Sequence, residues 1–400
     1  MIIEKITDLI TKQFPTYRPW AEAQALYCLA AVNPNAVLPG GGKGLPLTFN
    51  PWAIGPSRVA FKSTPIRYVT KELLKMIEYP ILPPRFTSEK CIGYIAEQKL
   101  DHAALIRDET TGLLAETRKQ YLADELSFLC ELLDGDISGR MTYAHGVSHG
   151  GEIRVNFMTA CTPSVFSIID ETFWTQGLGN RLIPIYWMPT VMEEPTKPYG
   201  EEGDEWWYEK QTKEIAKILK KQYKTNVRKV RYDDYVRKAV DGEEFIRRKN
   251  AYQQYFEDKM SILPSMFYEF NVHTRKVAAL HAIDRQLFVE NPIVTKEDWK
   301  WAKKWIAQRW KEFEMMYTDW KEWQVKEISR RQTTDEGKIL SYLQRHGERK
   351  RSEISKGTGV FGERLTRALN NLLAEGVISK RIGQSKTRPA ILFRIKREEI

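Results

Sequence analysis

Apolar residues recur at helical spacing through residues 4–33, where Ile6, Leu9 and Ile10 are followed by Leu26, Leu29 and Ala30, predicting one or two helices. The stretch NPNAVLPGGGKGLPLTFNP (33–51) is rich in Gly, Pro and Asn and reads as a loop or hairpin. Beyond it the pattern changes. LTFNPWAI (47–54) reads as a strand, and TPIRYVTKELLKMI (64–77) as a helix: Pro65 suits the first turn and Ile66, Val69, Leu73 and Leu74 share one face. A helix is expected over FTSEKCIGYIAEQ (86–98), then a short apolar run ending in acids, AALIRDE (103–109), then an amphipathic helix over 116–135. A second apolar strand, IRVNFMTACTP (153–163), follows the Gly- and His-rich TYAHGVSHGG (142–151), and GLGNRLIPIYWMP (177–189) closes an α/β pattern.

From about 200 to 330 the chain is charged and helical. Its most regular part is TKEDWKWAKKWIAQRWKEFEMMYTDWKEW (295–323), with Thr295 and Asp298 spaced for an N-terminal cap and six of the twelve tryptophans. Trp305, Phe313, Met316 and Trp320 fall at helical spacing and are expected to pack as core rather than stack on bases. The last segment, 335–396, reads as helix, short helix, Gly-containing turn at Gly357 and Gly359, third helix, then two strands around GQSKTRP. That order is a helix-turn-helix plus wing, with Leu340, Leu343, Ile354, Leu365, Leu369, Leu372 and Leu373 as its core. Four segments result: a helical N-terminus (1–45), an α/β core (46–195), a helical linker or lid (196–330) and the basic module (335–400).

Composition narrows the class. A chain of 400 residues with 42% hydrophobic residues builds two or three cores, and no apolar run reaches the length of a membrane span. Charges in MIIEKITDLITKQF stand where a signal peptide is apolar, so a soluble, cytoplasmic protein is expected. Cys28, Cys91, Cys130 and Cys161 are far apart and are expected to be buried, inert thiols. The net charge is +10, and residues 335–400 alone hold 15 Lys+Arg against 8 Asp+Glu. A basic module on a nearly neutral body points to DNA as partner, whereas a solvated surface of the thermophile kind is the rival explanation. Arg364 and Arg367 on the third helix face a major groove in this reading, while Lys380, Arg381, Lys386 and Arg388 of the wing meet phosphates.

The chemistry centres on WAIGPSRVAFKST (52–64). It lies between a strand and a helix, the setting of a phosphate loop, with Gly55, Lys62, Ser63 and Thr64 as candidate nucleotide ligands. The rival Gly40–Gly44 run has no helix after Lys43, because Pro46 follows at once. Asp108 and Glu109 supply a carboxylate for Mg²⁺ and a base for water, and are preferred over Asp124 and Glu125 because a strand-like run precedes them. Thr159 or Thr162 ends the next strand and orients water, and Arg181 in GLGNRL completes the site from a neighbouring subunit.

In order, GPSRVAFKST, ALIRDE, IRVNFMTACTP and GLGNRLI resemble the body of AAA+/RecA-like P-loop ATPases, nearest to the helicase-like, primase-associated proteins of plasmids and viruses and more distantly to minichromosome-maintenance helicases. HTRKVAALHAIDRQLFVENPIVTKEDWKWAKKWI (273–306) resembles the helical lid of that group, with Arg275 at its arginine, and TYAHGVSHGGEIRV its DNA-facing hairpin. The resemblance spans most of 45–310. It implies an α/β P-loop ATPase core with a parallel sheet, helical N-terminal segment, helical lid and C-terminal winged helix. It also implies ATP and Mg²⁺ as cofactors and a homo-oligomer on DNA, a hexameric ring among the arrangements. A primase or polymerase would be a further partner. Lys62 then neutralises β/γ-phosphates, Ser63 and Asp108 hold Mg²⁺, Glu109 polarises water, and Arg181 and Arg275 stabilise developing charge. Arg58, Val59 and Phe61 depart from the family's small residues, and Lys62 stands one residue late after Gly55. Two rivals follow: a non-catalytic DNA-binding initiator or scaffold, and a winged-helix transcription regulator.

Overall fold

The computed structural model describes residues 1–40, 44–57, 60–111, 114, 124–138, 140–142, 146–148, 151–169, 173–174, 177–188, 204–242, 246, 250, 263–374, 377–383 and 390–395. They form two compact units, Met1–Met316 and Tyr317–Ile400. The N-terminal helices therefore belong with the sheet and with later helices of the same unit instead of standing apart. Buried hydrogen bonds show why: the Tyr27 hydroxyl donates to the Asn156 carbonyl at 2.9 Å, and the Ile2 amide donates to Asp284 of the helix Leu263–Arg285 at 2.5 Å.

The first unit holds a four-stranded parallel sheet in the order Ile183–Tyr186, Pro51–Ile54, Arg154–Cys161, His102–Arg107. Ile81 adds an isolated parallel bridge to Ala104 at the outer edge. These strands are covered on both faces and are buried almost throughout, which is why they read as apolar runs without alternation. Each buried Leu, Ile, Val or Phe contributes about 1.5–3 kcal/mol of hydrophobic stabilisation. Two buried asparagines set the start of the central strands, Asn50 Oδ1 accepting from the Phe157 amide and Asn156 Oδ1 from the Phe49 amide, both at 2.9 Å.

All four strands end on one edge, followed by Gly55, Asp108, Thr162 and Trp187. The chain leaves Pro51–Ile54 for the far side of the sheet, works back to Arg154–Cys161, and then crosses to Ile183–Tyr186 on the other side. The carboxyl end of Pro51–Ile54 is therefore a topological switch point. The helix expected over 64–77 starts at Ser63 and runs through a π-helical turn, Ile66–Thr70, into Lys71–Met76. Ile66, Val69, Leu73 and Leu74 are all buried.

Three antiparallel pairs decorate the unit: Val37–Leu38 with Leu45–Pro46, Asp136–Ile137 with Gly151–Glu152, and Arg140–Thr142 with Gly146–Ser148. The last is the hairpin read from TYAHGVSHGG; His145 and His149 lie outside the described residues. Asp204–Thr225, Leu263–Arg285 and the 38-residue Lys296–Thr333 supply the helices, and the boundary between units falls within the last. Asp298 accepts from the Thr295 amide at 2.8 Å and hydroxyl at 2.9 Å, and Trp305, Phe313, Met316 and Trp320 are buried as expected.

The second unit runs helix Asp335–His346, strand Arg349–Lys350, helix Arg351–Thr358, helix Gly362–Ala374, then strands Ile378–Gly383 and Ala390–Ile395 in an antiparallel sheet with Ala390–Ile395 central. Leu343, Ile354, Leu365, Leu369 and Leu372 are buried with Ile339, Val360, Ala368, Ile378 and Phe393, while Leu340 and Leu373 pack at the margin. Gly357 lets the Tyr342 ring pack closely, since a Cβ there would stand 2.0 Å from it and the ring would have to shift. Among the described residues no helix is long and apolar enough to cross a membrane.

Candidate functional site

The residues flagged after Ile54 do meet at the sheet's carboxyl edge. Gly55 allows the loop to fold tightly: a Cβ there would lie 2.8 Å from the Trp187 carbonyl oxygen and 3.2 Å from Ala60 Cβ. The loop turns back through Phe61, whose φ of 41° is left-handed and unfavourable for an aromatic residue. Carbonyls released by this turn are held from the N-terminal segment, Thr16 Oγ1 donating to Ala60 and Phe61 at 3.3 Å and Trp20 Nε1 to Lys62 at 3.0 Å. Arg58 and Val59 lie outside the described residues.

Lys62 closes the loop on itself. Its ammonium donates to the carbonyls of Gly55 at 2.6 Å and Pro56 at 2.8 Å. Burial pulls its pKa below the usual lysine range, with Cys161 and Glu109 acting against that pull. Ser63 and Thr64 open the helix, and Ser63 Oγ donates to the Asp108 carbonyl at 3.2 Å, joining the loop to the tip of His102–Arg107. Both Asp108 oxygens are occupied: Arg67 Nη2 donates to Oδ2 at 2.9 Å and Lys71 Nζ to Oδ1 at 3.2 Å. Burial raises the Asp108 carboxyl, but the hydrogen bonds and charges of Arg67 and Lys71 outweigh it and hold the pKa below the usual range. Glu109 accepts from the Thr111 amide at 3.0 Å and from its hydroxyl.

The threonines divide. Thr159 is buried two residues before the strand's end with its hydroxyl 2.5 Å from that of Thr110, so it braces the tip from inside. Thr162, just beyond the strand, lies at the edge and pairs with Ser164 at 2.5 Å. Asp124 and Glu125 begin the helix Asp124–Asp134.

Neither arginine joins Lys62. Arg181 grips Asp134 with two hydrogen bonds, Nε to Oδ1 at 2.7 Å and Nη2 to Oδ2 at 2.5 Å, and also donates to the Gly177 carbonyl at 2.7 Å. Gly177, at φ 89°, leaves the space the guanidinium fills, since a Cβ would lie 2.5 Å from Nη1. Arg275 contacts the Pro39 carbonyl and lies 3.3 Å from the Tyr232 hydroxyl. Pro39 follows the strand Val37–Leu38, in a hairpin that precedes the amino end of Pro51–Ile54, whereas Lys62 follows its carboxyl end.

Sequence reading missed a buried ionisable group between these regions. Lys276 is pulled down to about 8 by burial, against the charges of Glu269 and Asp134, and donates to Thr48 Oγ1 at 2.9 Å. His273 is held down to about 3, chiefly by burial and then by Lys276. His273 and Lys276, three residues apart on Leu263–Arg285, were the available signal, but nothing local marks which face turns inward.

In the second unit the candidate DNA contacts also divide. Arg364 is bonded to Asp335 at 2.8 and 2.6 Å, and Arg381 to Glu348 at 2.6 and 2.5 Å. Arg367 and Lys380 are exposed. Lys386 and Arg388 lie outside the described residues.

No family model and no curated protein matches this sequence.

Proposed function

We propose that this chain is a DNA-binding replication protein of the helicase-like kind, with a P-loop ATPase-like first unit and a winged-helix second unit. The observation that carries the reading is the assembly of Lys62, Ser63, Asp108, Glu109 and Thr162 at the carboxyl edge of a parallel sheet, at its switch point, between a strand and a helix N-terminus.

The residues fit a phosphate. Lys62 is poised to exchange the carbonyls of Gly55 and Pro56 for phosphate oxygens, and Ser63 and Thr64 open the helix that follows it. They do not fit Mg²⁺ as arranged, because Arg67 and Lys71 already neutralise Asp108 where a dication would need it. ATP in this reading is first a ligand: it opens a loop that is closed by Lys62 and strained at Phe61.

DNA contacts are assigned to the hairpin Arg140–Ser148 and to the second unit, with Arg367 and Lys380 ahead of the salt-bridged Arg364 and Arg381. Assembly of several copies on DNA, with a primase or polymerase as partner, belongs to the same proposal. The closed loop itself favours one rival, a DNA-binding scaffold that binds no nucleotide. ATP binding with and without single- and double-stranded DNA, compared between the native protein and Lys62→Ala, separates the two: coupling between ATP and DNA that depends on Lys62 supports the first, and its absence the second.

A further inference from the structure

A cavity lies elsewhere in the first unit, beside the strands Val37–Leu38 and Leu45–Pro46. It has a volume of about 860 Å³, the size of a small-ligand pocket. Its apolar wall comes from Leu45, Val230, Val240 and Val272, with the Tyr232 ring alongside. Four cations line it, Lys229, Arg231, Arg237 and Arg275, against one carboxylate, Asp241, a surplus of three positive charges. The first three are exposed at its rim, while Arg275 is buried and bonded to the hairpin through Pro39.

The shape of this cavity depends on Gly44. Its φ is 82°, and a Cβ would lie 2.4 Å from Val37 Cγ1 and 2.8 Å from the Leu38 carbonyl oxygen. The hairpin thus follows a course open to glycine alone and leaves Pro39 and Gly40 at the cavity mouth. Guanidinium groups present planar, paired donors suited to phosphate, and an apolar wall suits a planar or aliphatic body.

We infer that this cavity binds a phosphorylated small molecule of nucleotide size, its anionic part held by Arg231, Arg237 and Lys229 and its body against the valines. A concave site with a buried arginine and apolar walls favours a small ligand over a nucleic-acid strand, whose backbone follows an open groove. This site shares no residue with the Lys62 loop and stands independently of it.

ATP serves as the probe, titrated calorimetrically into the full chain at low salt for the native protein, Lys62→Ala and the double variant Arg231→Glu/Arg237→Glu. Two ATP per native chain and one in each variant is the expected result, with affinity at the cavity falling at least about tenfold on charge reversal. Inorganic triphosphate should compete at the cavity, and the neutral pair Arg231→Gln/Arg237→Gln should weaken it too, which separates loss of contact from misfolding. One ATP per native chain, kept by the arginine variant and lost in Lys62→Ala, overturns the inference. One ATP lost only in the arginine variant supports the cavity and sinks the Lys62 reading instead. No ATP bound to any of the three, or an oligonucleotide that depends on the two arginines where ATP does not bind, overturns it as well.

Discussion

The segments Gly40–Gly44 and Gly55–Lys62 look alike as sequence, each combining glycine with lysine, yet the described residues around them differ. After Ile54 the loop turns inward, and its lysine spends its donors on the loop's own carbonyls. Beside Pro39, Gly40, Gly44 and Leu45 lies a cavity whose rim arginines are exposed. What distinguishes them is what each cation already holds. The same contrast separates Arg181 and Arg364, each clamped by two hydrogen bonds to Asp134 and Asp335, from the exposed Arg367 and from Arg237, whose contact with Asp234 is a looser, exposed pair at 3.8 Å. A cation's place in a motif says little about its availability until its intramolecular partners are known.

The two glycines test this contrast most severely. Gly44→Ala should cost about 2–4 kcal/mol, because left-handed backbone and a clash with two fixed atoms combine. Gly55→Ala should cost about 1–2 kcal/mol: it meets the Trp187 carbonyl but keeps an ordinary backbone. Denaturant unfolding of both variants checks the order, and equal costs would mean that the hairpin is as tolerant as the closed loop.

The helix carrying Arg275 also carries His273, and its protonation offers a second lever. With a folded pKa of about 3 against an ordinary 6.5, the unfolded chain binds more protons between those values. Stability conferred by neutral His273 is full above pH 6.5 and is lost as pH falls through this window. At pH 5 the loss should be about 2 kcal/mol relative to pH 7, and His273→Gln should remove that part of the pH dependence. Parallel pH profiles for the two proteins would place His273 in contact with water.

Smaller effects are expected on DNA. Arg367→Ala should weaken duplex binding about five- to tenfold and flatten its salt dependence, while Arg364→Ala should change it less than about twofold. Fluorescence anisotropy at two salt concentrations measures both, and the reverse ranking would mean that Asp335 releases Arg364 on binding.

Much of this architecture is legible in the sequence. Continuous apolar runs such as AALIR and VNFMTAC belong to strands covered on both faces, and helical spacing identified Ile66, Val69, Leu73 and Leu74 as a buried face. Family resemblance pointed to a hairpin around TYAHGVSHGG, where Arg140–Thr142 pairs with Gly146–Ser148, and the Gly357 and Gly359 turn gave the helix order of the second unit. What escaped is long-range pairing. Arg67 and Asp108 are 41 residues apart, and only the sheet brings the helix to the strand tip. A strand, Leu45–Pro46, and not a helix follows the Gly40–Gly44 run, and the cavity beside it is lined by Tyr232 and Arg275, from segments that no local pattern links to it. The N-terminal helices read as a separate segment because their packing partners, Asn156 and Asp284, lie far along the chain.

The most direct measurement of the central claim is ATP binding by the full protein, in the presence and absence of DNA, beside Lys62→Ala. A DNA-responsive share of ATP binding that disappears in the variant is the predicted result. ATP binding and DNA affinity that are identical in the two proteins would contradict it and leave the loop after Ile54 as a structural turn.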